Sequence, residues 1–261
     1  MTVLKHEIRQ GRTAFLIWTC AIASLLAVCI FLYPEMKDEM GNVTDMFASM
    51  GAFSAAFGMD RLNFESLIGF FSVECGNVLG LGGGLFASML AAGMLSKEEK
   101  DKTAEFLLTH PVSRVRVLLE KLAAVLLQIT FMNLIIYAVS IGAVYAIGED
   151  IPWRELNLML LAYYLMQLEL AGICFGISAF MKRGSLGAGL GIAAVMYFLN
   201  IIANIAEAAE PLKYITPFSY CEGADIVENG ALDGTLFGIG IVIGIAGVVI
   251  AFARYTKRDI S

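Results

Sequence analysis

Histidine and cysteine are scarce in this 261-residue chain, which has two histidines and five cysteines. His6 and His110 have no partner at metal or catalytic spacing, and His110 reads as a turn residue before Pro111. Cys20, Cys29, Cys75 and Cys174 lie within or at the ends of apolar stretches, and Cys221 reads as a loop residue. No two are spaced as a metal or redox pair, so they read as small buried hydrophobes. HExxH, GxSxG and Walker sequences are missing. The nearest approach, Gly-Leu-Gly-Gly-Gly-Leu from Gly80, lacks the Lys-Ser/Thr of a phosphate loop and lies in an apolar stretch. No catalytic residue, resident cofactor or metal is expected, and no nucleic-acid partner.

Charge is also thin, at 16% of residues, and it is nearly excluded from six long runs. These are Thr13–Tyr33, Cys75–Ser96, Leu122–Gly148, Leu156–Met181 (broken once, by Glu169), Gly184–Ala206 and Gly234–Ala253. Each reaches the roughly 20 residues that a helix needs to cross about 30 Å of hydrocarbon. Backbone groups inside lipid must pair within their own segment, so the spanning form is helical. The fold class is therefore all-α: a polytopic membrane protein, one transmembrane domain over 1–261, with spans at 13–33, 75–96, 115–148, 156–181, 184–206 and 234–253. The first run is long for a signal sequence and no small-residue cleavage site precedes Pro34, so it reads as a span.

The basic residues set the orientation. With the N-terminus inside, only Lys37, Arg61, Arg154 and Lys213 of the 18 Lys and Arg fall outside. That asymmetry predicts N-in, C-in. Residues 1–12 suggest a short interfacial helix, with Leu4 and Ile8 on one face and Lys5, Arg9 and Arg12 reaching headgroups. Segment 34–65, outside, repeats Met36, Met40, Val43, Phe47, Met50 and Phe57 near helical spacing and predicts one or two amphipathic helices. Gly76, Gly80 and Gly84 recur every four residues, as do the pairs Gly172/Gly176, Gly187/Gly191 and Gly234/Gly238. Small residues at that spacing predict close helix packing in lipid.

Two carboxylates interrupt apolar sequence. Glu74 lies about 34 Å of helix from Lys97, which places it at the outer interface. Glu169 is 13 residues from both Leu156 and Lys182, near the bilayer centre. An acid there is unfavourable by at least about 2.5 kcal/mol and must face protein or water. It belongs to a helix interface or to a substrate path.

The main inner loop runs from Ser96 to Lys121. Ser96 and Glu99 form a capping-box pattern, Phe106, Leu107 and Leu108 an apolar patch, Pro111 a break and Ser113 a cap for the next span. The 96–114 stretch thus predicts a short inner helix with a docking face.

This loop resembles the segment E-E-x-x-G-T-x-E-x-L-L-x-x-P-V-S-R of type-2 permease subunits of ATP-binding cassette (ABC) exporters. Glu98, Glu99, Thr103, Glu105, Leu107, Leu108, Pro111, Val112, Ser113, Arg114 and Lys121 fall on the pattern, and Lys102 stands where the family has Gly. Tyr214 to Gly230 resembles the family's Y-L-S-P-F-x-Y segment before the last span. The resemblance implies a permease that pairs with a second copy or a related permease and with two cytoplasmic ATPase subunits. Those subunits would hold ATP and Mg, and 96–114 would be the coupling helix. The same residues leave open an ion-coupled secondary transporter and a non-transporting membrane sensor or anchor. The substrate is not specified: drug or antibiotic, peptide, lipid and ion all remain.

Overall fold

A computed structural model describes residues 2–37, 40–97, 113–181 and 186–257. Among these residues the chain is helical without strands, and six helices are long and apolar enough to cross a membrane. They are α1 (Thr2–Met36), a second span running Leu67–Ala92, α6 (Arg114–Ile147), α7 (Trp153–Ser178), α8 (Leu186–Ile205) and α10 (Gly234–Lys257). The second span is three pieces end to end: α4 (Leu67–Cys75), a π-helical turn (Gly76–Leu81) and α5 (Gly82–Ala92). Short helices α2 (Met40–Ser49) and α3 (Ala52–Ala56) follow α1, and α9 (Gly223–Asn229) precedes α10.

Local chemistry sets the helix ends. Ser113 Oγ accepts from Arg116 N at 3.3 Å and starts α6, as its position predicts. Gly148, at φ +75°, ends the same helix, a conformation that suits glycine. Asp233 Oδ1 accepts from Thr235 N and Leu236 N and starts α10. Ser66 Oγ accepts from Gly69 N, so the second span begins at Leu67, eight residues ahead of the uncharged run. Glu74 therefore stands about 10 Å inside that helix, where its Oε2 accepts from Cys29 Sγ at 3.4 Å. Helix α1 is unbroken from Thr2, so residues 2–12 continue the first span in one helix about 50 Å long.

Helix α7 is the most buried of the six, packing on α5, α6 and α10, while α1 lies along α6 and α8 along α5. Two packing devices operate. Between α7 and α10, backbone meets backbone: a Cβ at Gly172 would lie 2.5 Å from Gly244 O, and one at Gly176 2.7 Å from Gly247 O. Between the second span and α7, glycine receives large side chains, with Tyr163 against Gly76 and Gly80 of the π turn, and Leu170 against Gly84 of α5. Gly234, Gly238 and Gly191 have open space around them and bring no helix close, contrary to the spacing argument. The period repeats along the α10 sequence, but only Gly240, Gly244 and Gly247 fall on the side facing α7. Polar pairs add to the α6–α7 contact: Thr130 with Tyr164 at 2.9 Å, Asn133 with Gln167 at 2.7 Å and Tyr137 with Asn157 at 2.9 Å. Each such bond in a membrane contributes about 0.6 kcal/mol.

A charged knot closes the end of the bundle that carries Thr2. Glu7 is 2% exposed and Lys121 is 0% exposed. Lys121 Nζ donates to Glu7 Oε1 at 3.0 Å and to Met94 O at 2.6 Å. Lys97 pairs with the other Glu7 oxygen and donates to Gln10 Oε1 at 2.8 Å. Glu120 Oε2 accepts from Val3 N and Leu4 N at 3.1 Å each, a carboxylate at the N-terminus of α1, and Arg116 holds its other oxygen. The knot joins α1, the exit of α5 and the start of α6. We call this the proximal end. At the distal end Lys37 pairs with Glu149 at 2.7 Å and Arg61 with Asp225 at 2.5 Å, both exposed.

Removing one member of a buried pair leaves an uncompensated charge and costs about 3–5 kcal/mol. Glu7→Gln is therefore expected to lower the thermal midpoint in detergent markedly, and Glu7→Met with Lys121→Met to recover most of the loss. Equal loss in the single and double variants would show that the charges are not coupled.

Candidate functional site

Glu169 is one feature that stands out inside the bundle. It projects from α7 at 6% exposure, beside Gly240 and Gly244 of α10, and leaves no room for a side chain at Gly240. Tyr220 Oη donates to Glu169 Oε2 at 3.1 Å. Tyr220 comes from the segment between α8 and α10, which folds back into the bundle and buries Phe218, Tyr220 and Cys221. The turn is fixed by Ser219 Oγ donating to Lys213 O at 2.6 Å and Thr216 Oγ1 donating to Met196 O at 2.8 Å. Phe218 stacks edge-on against Tyr197, and Tyr220 against Phe237. Cys221, expected in an exposed loop, is 1% exposed and donates to Ala162 O. The aromatic residues around it carry the turn inward.

Glu169 and Tyr220 together line a cleft of about 330 Å³ between α6, α7 and α10, otherwise apolar, with Leu122, Leu165 and Ile245 among its walls. Tyr220 also lines a second, polar cavity of about 560 Å³ at the distal end, with Glu210, Lys213, Asp225 and Asp233. Its side chain is thus the partition between a polar vestibule and an apolar cleft with one carboxylate.

Glu222, two residues on, turns the other way. Its Oε2 accepts from Asn204 Nδ2 at 3.0 Å and from Asn200 Nδ2 at 3.4 Å, both on α8. Burial raises its carboxyl above the ordinary carboxylate range, against the opposing pull of these amides. Among the described residues no set of three or more His, Cys, Asp or Glu gathers as a metal site.

The sequence-derived site residues fall in three places. Glu169 lies at the cleft. Glu74 lies elsewhere, half-buried against Cys29 of α1. Of the coupling residues, Glu98, Glu99, Thr103, Glu105, Phe106, Leu107, Leu108, Pro111 and Val112 lie outside the described residues. Ser113 caps α6, and Arg114, half-buried, donates to Thr256 O of α10 at 3.4 Å. Ser96 is fully buried beside the knot. Sequence reasoning missed Glu7, Glu120, Tyr220, Glu222 and Asn200. Glu7 and Glu120 lie in basic stretches that mask single acids, and Tyr220 and Glu222 lie in a segment read as an outer loop.

YhcI, an uncharacterized protein of Bacillus subtilis (strain 168), is 27% identical over 206 residues, covering 68% of this chain. The chain spans about 64% of the length of that relative. The family model described as "ABC-2 family transporter protein" matches residues 1–260, effectively end to end. Six spanning helices and a match of that extent place this multi-pass membrane protein in the ABC-2 transporter family.

Proposed function

We propose that the chain is the permease subunit of an ATP-driven exporter in a bacterial plasma membrane, with its proximal end in the cytoplasm. ATP and Mg would bind a separate ATPase, two copies of which would dock on a permease pair formed by this chain with itself or a close relative. The carrying observation is the Glu7 knot. Segment 98–112 leaves from Lys97 and returns to Ser113, and its two stems, α5 and α6, are tied through Lys97 and Lys121 to one carboxylate on α1. A force on that segment acts on three helices together, which is what a coupling element requires. Arg114 extends the linkage to α10.

Glu169 and Tyr220 then sit where motion of α10 against α7 is read out. The glycine contacts let the two helices move along each other with little side-chain interlock, and the cleft beside them offers a substrate a way through. An ion-coupled carrier gains support from this acid. Flux that collapses with an ion gradient while ATP is present would favour it.

The coupling reading predicts that Leu107→Asp with Leu108→Asp reaches the membrane but neither co-purifies with its ATPase nor exports. Two buried charges cost several kcal/mol, enough to dissociate a modest interface. Arg114→Ala should be milder. Retention of the ATPase and normal export in the double variant would remove the coupling role. Orientation is checked by external thiol labelling in a background lacking native cysteines: Met40→Cys and Asn229→Cys should react in intact cells, Lys100→Cys and Lys257→Cys should not. For the cleft, Glu169→Gln should fold and keep its hydrogen bond with Tyr220, whereas Glu169→Lys should lose export in vesicles. Normal export by Glu169→Gln at every pH would assign the carboxyl to packing alone.

A further inference from the structure

A small chamber of about 50 Å³ with a mixed polar and apolar lining lies at the distal end, between the π-helical turn, α7, α8 and the start of α9. Asn77 of the π turn, Tyr163 of α7, Tyr197 and Asn200 of α8, and Glu222 supply its polar lining. π turns inside helices recur at functional sites because the widened turn re-aims side chains. Here Asn77 Oδ1 accepts from Tyr197 Oη at 3.3 Å.

The hydrogen bonding of this chamber is unbalanced. Asn200 and Asn204 both donate to the same Glu222 oxygen. That fixes the Asn200 amide, because the flipped form would set oxygen against oxygen. Its carbonyl oxygen is then buried with no partner among the described residues, in a side chain 6% exposed. Tyr163, 3% exposed, makes no hydrogen bond to the described protein groups through its hydroxyl. Glu222 has no ion-pair partner among the described residues. The guanidinium of nearby Arg61 is engaged by Asp225 at 2.5 Å and Glu228 at 3.5 Å. Residues that carry a carboxylate, an orphaned amide oxygen and a tyrosine hydroxyl thus line one small space. An unsatisfied buried acceptor is unfavourable by about 1–3 kcal/mol and calls for a partner.

The geometry points to a binding site for one hard monovalent cation of sodium size, held by Glu222, the Asn200 carbonyl oxygen and Tyr163, with water completing the shell. One carboxylate balances one positive charge. Divalent ions of this hardness take more oxygen ligands or keep several waters. A chamber of this size has room for a few water-sized bodies at roughly 10–15 Å³ each, enough for an ion with one or two waters. Asn204, which lines the open vestibule and also holds Glu222, marks the way in. The bound ion would pin α8 and the inward-folded turn to α7. This site is separate from the Glu169 cleft and does not rest on the transport reading.

The test uses the full chain purified in detergent. Thermal midpoints are compared in sodium, potassium and N-methyl-D-glucamine chloride at equal ionic strength, together with binding of radioactive sodium. Wild type should unfold several degrees higher in sodium than in N-methyl-D-glucamine and bind sodium near one per chain. Glu222→Gln should lose both effects while keeping the midpoint measured in N-methyl-D-glucamine. Should Glu222→Gln not fold, Asn200→Ala decides, with sodium affinity roughly tenfold weaker or worse. Tyr163→Phe should weaken binding less. Equal midpoints in all three salts with no bound sodium would mean that the chamber holds water only and would overturn the proposal. So would an unchanged sodium response in both Glu222→Gln and Asn200→Ala.

Discussion

A lysine ammonium with no exposed surface, Lys121, sets the condition that the proximal end of the bundle must meet. Glu7 and the Met94 carbonyl reach it and make its charge compatible with burial. Glu7 can be there only if α1 continues as helix through the membrane boundary, and Met94 only if α5 ends in a tight turn. Helix start, helix end and helix pairing are thereby decided together. Lys97 and Glu120 extend the same logic outward, one onto the second Glu7 oxygen and one onto the first turn of α1.

Away from that end, lipid removes the hydrophobic drive for helices to associate, and shape takes over. The α7–α10 contact relies on glycine against glycine, with backbones close enough that a single methyl group at 172 or 176 would collide. The contact of the second span with α7 relies on glycine against Tyr163 and Leu170. The first is a smooth surface and the second an interlocked one. Helix α7 therefore has a smooth side toward α10 and an interlocked side toward the second span. Glu169 lies on the smooth side.

The inward-folded turn before α9 divides its polar side chains between these two sides. Tyr220 reaches Glu169 against α10, and Glu222 reaches Asn200 and Asn204 on α8. One short segment thus contacts both the α7–α10 seam and the chamber beside α8, and it separates a polar vestibule from an apolar cleft.

Six spans and an all-helical membrane fold were legible from the chain, because burial in lipid acts on single segments: length and absence of charge suffice. Ser113 as a cap was legible for the same reason, since a cap involves only its own next turn. Partnership was not. Nothing in the spacing of glycines says that 240, 244 and 247 face a neighbour while 234 and 238 face open space. Nothing near Glu7 names Lys121, more than a hundred residues away, and the aromatics of segment 211–230 suggest a dip into the membrane edge without naming Glu169 as the partner of Tyr220. Segment-level chemistry fixes what each stretch becomes. Which side chains meet is decided by how the helices are turned about their axes, and only the packed bundle sets that angle.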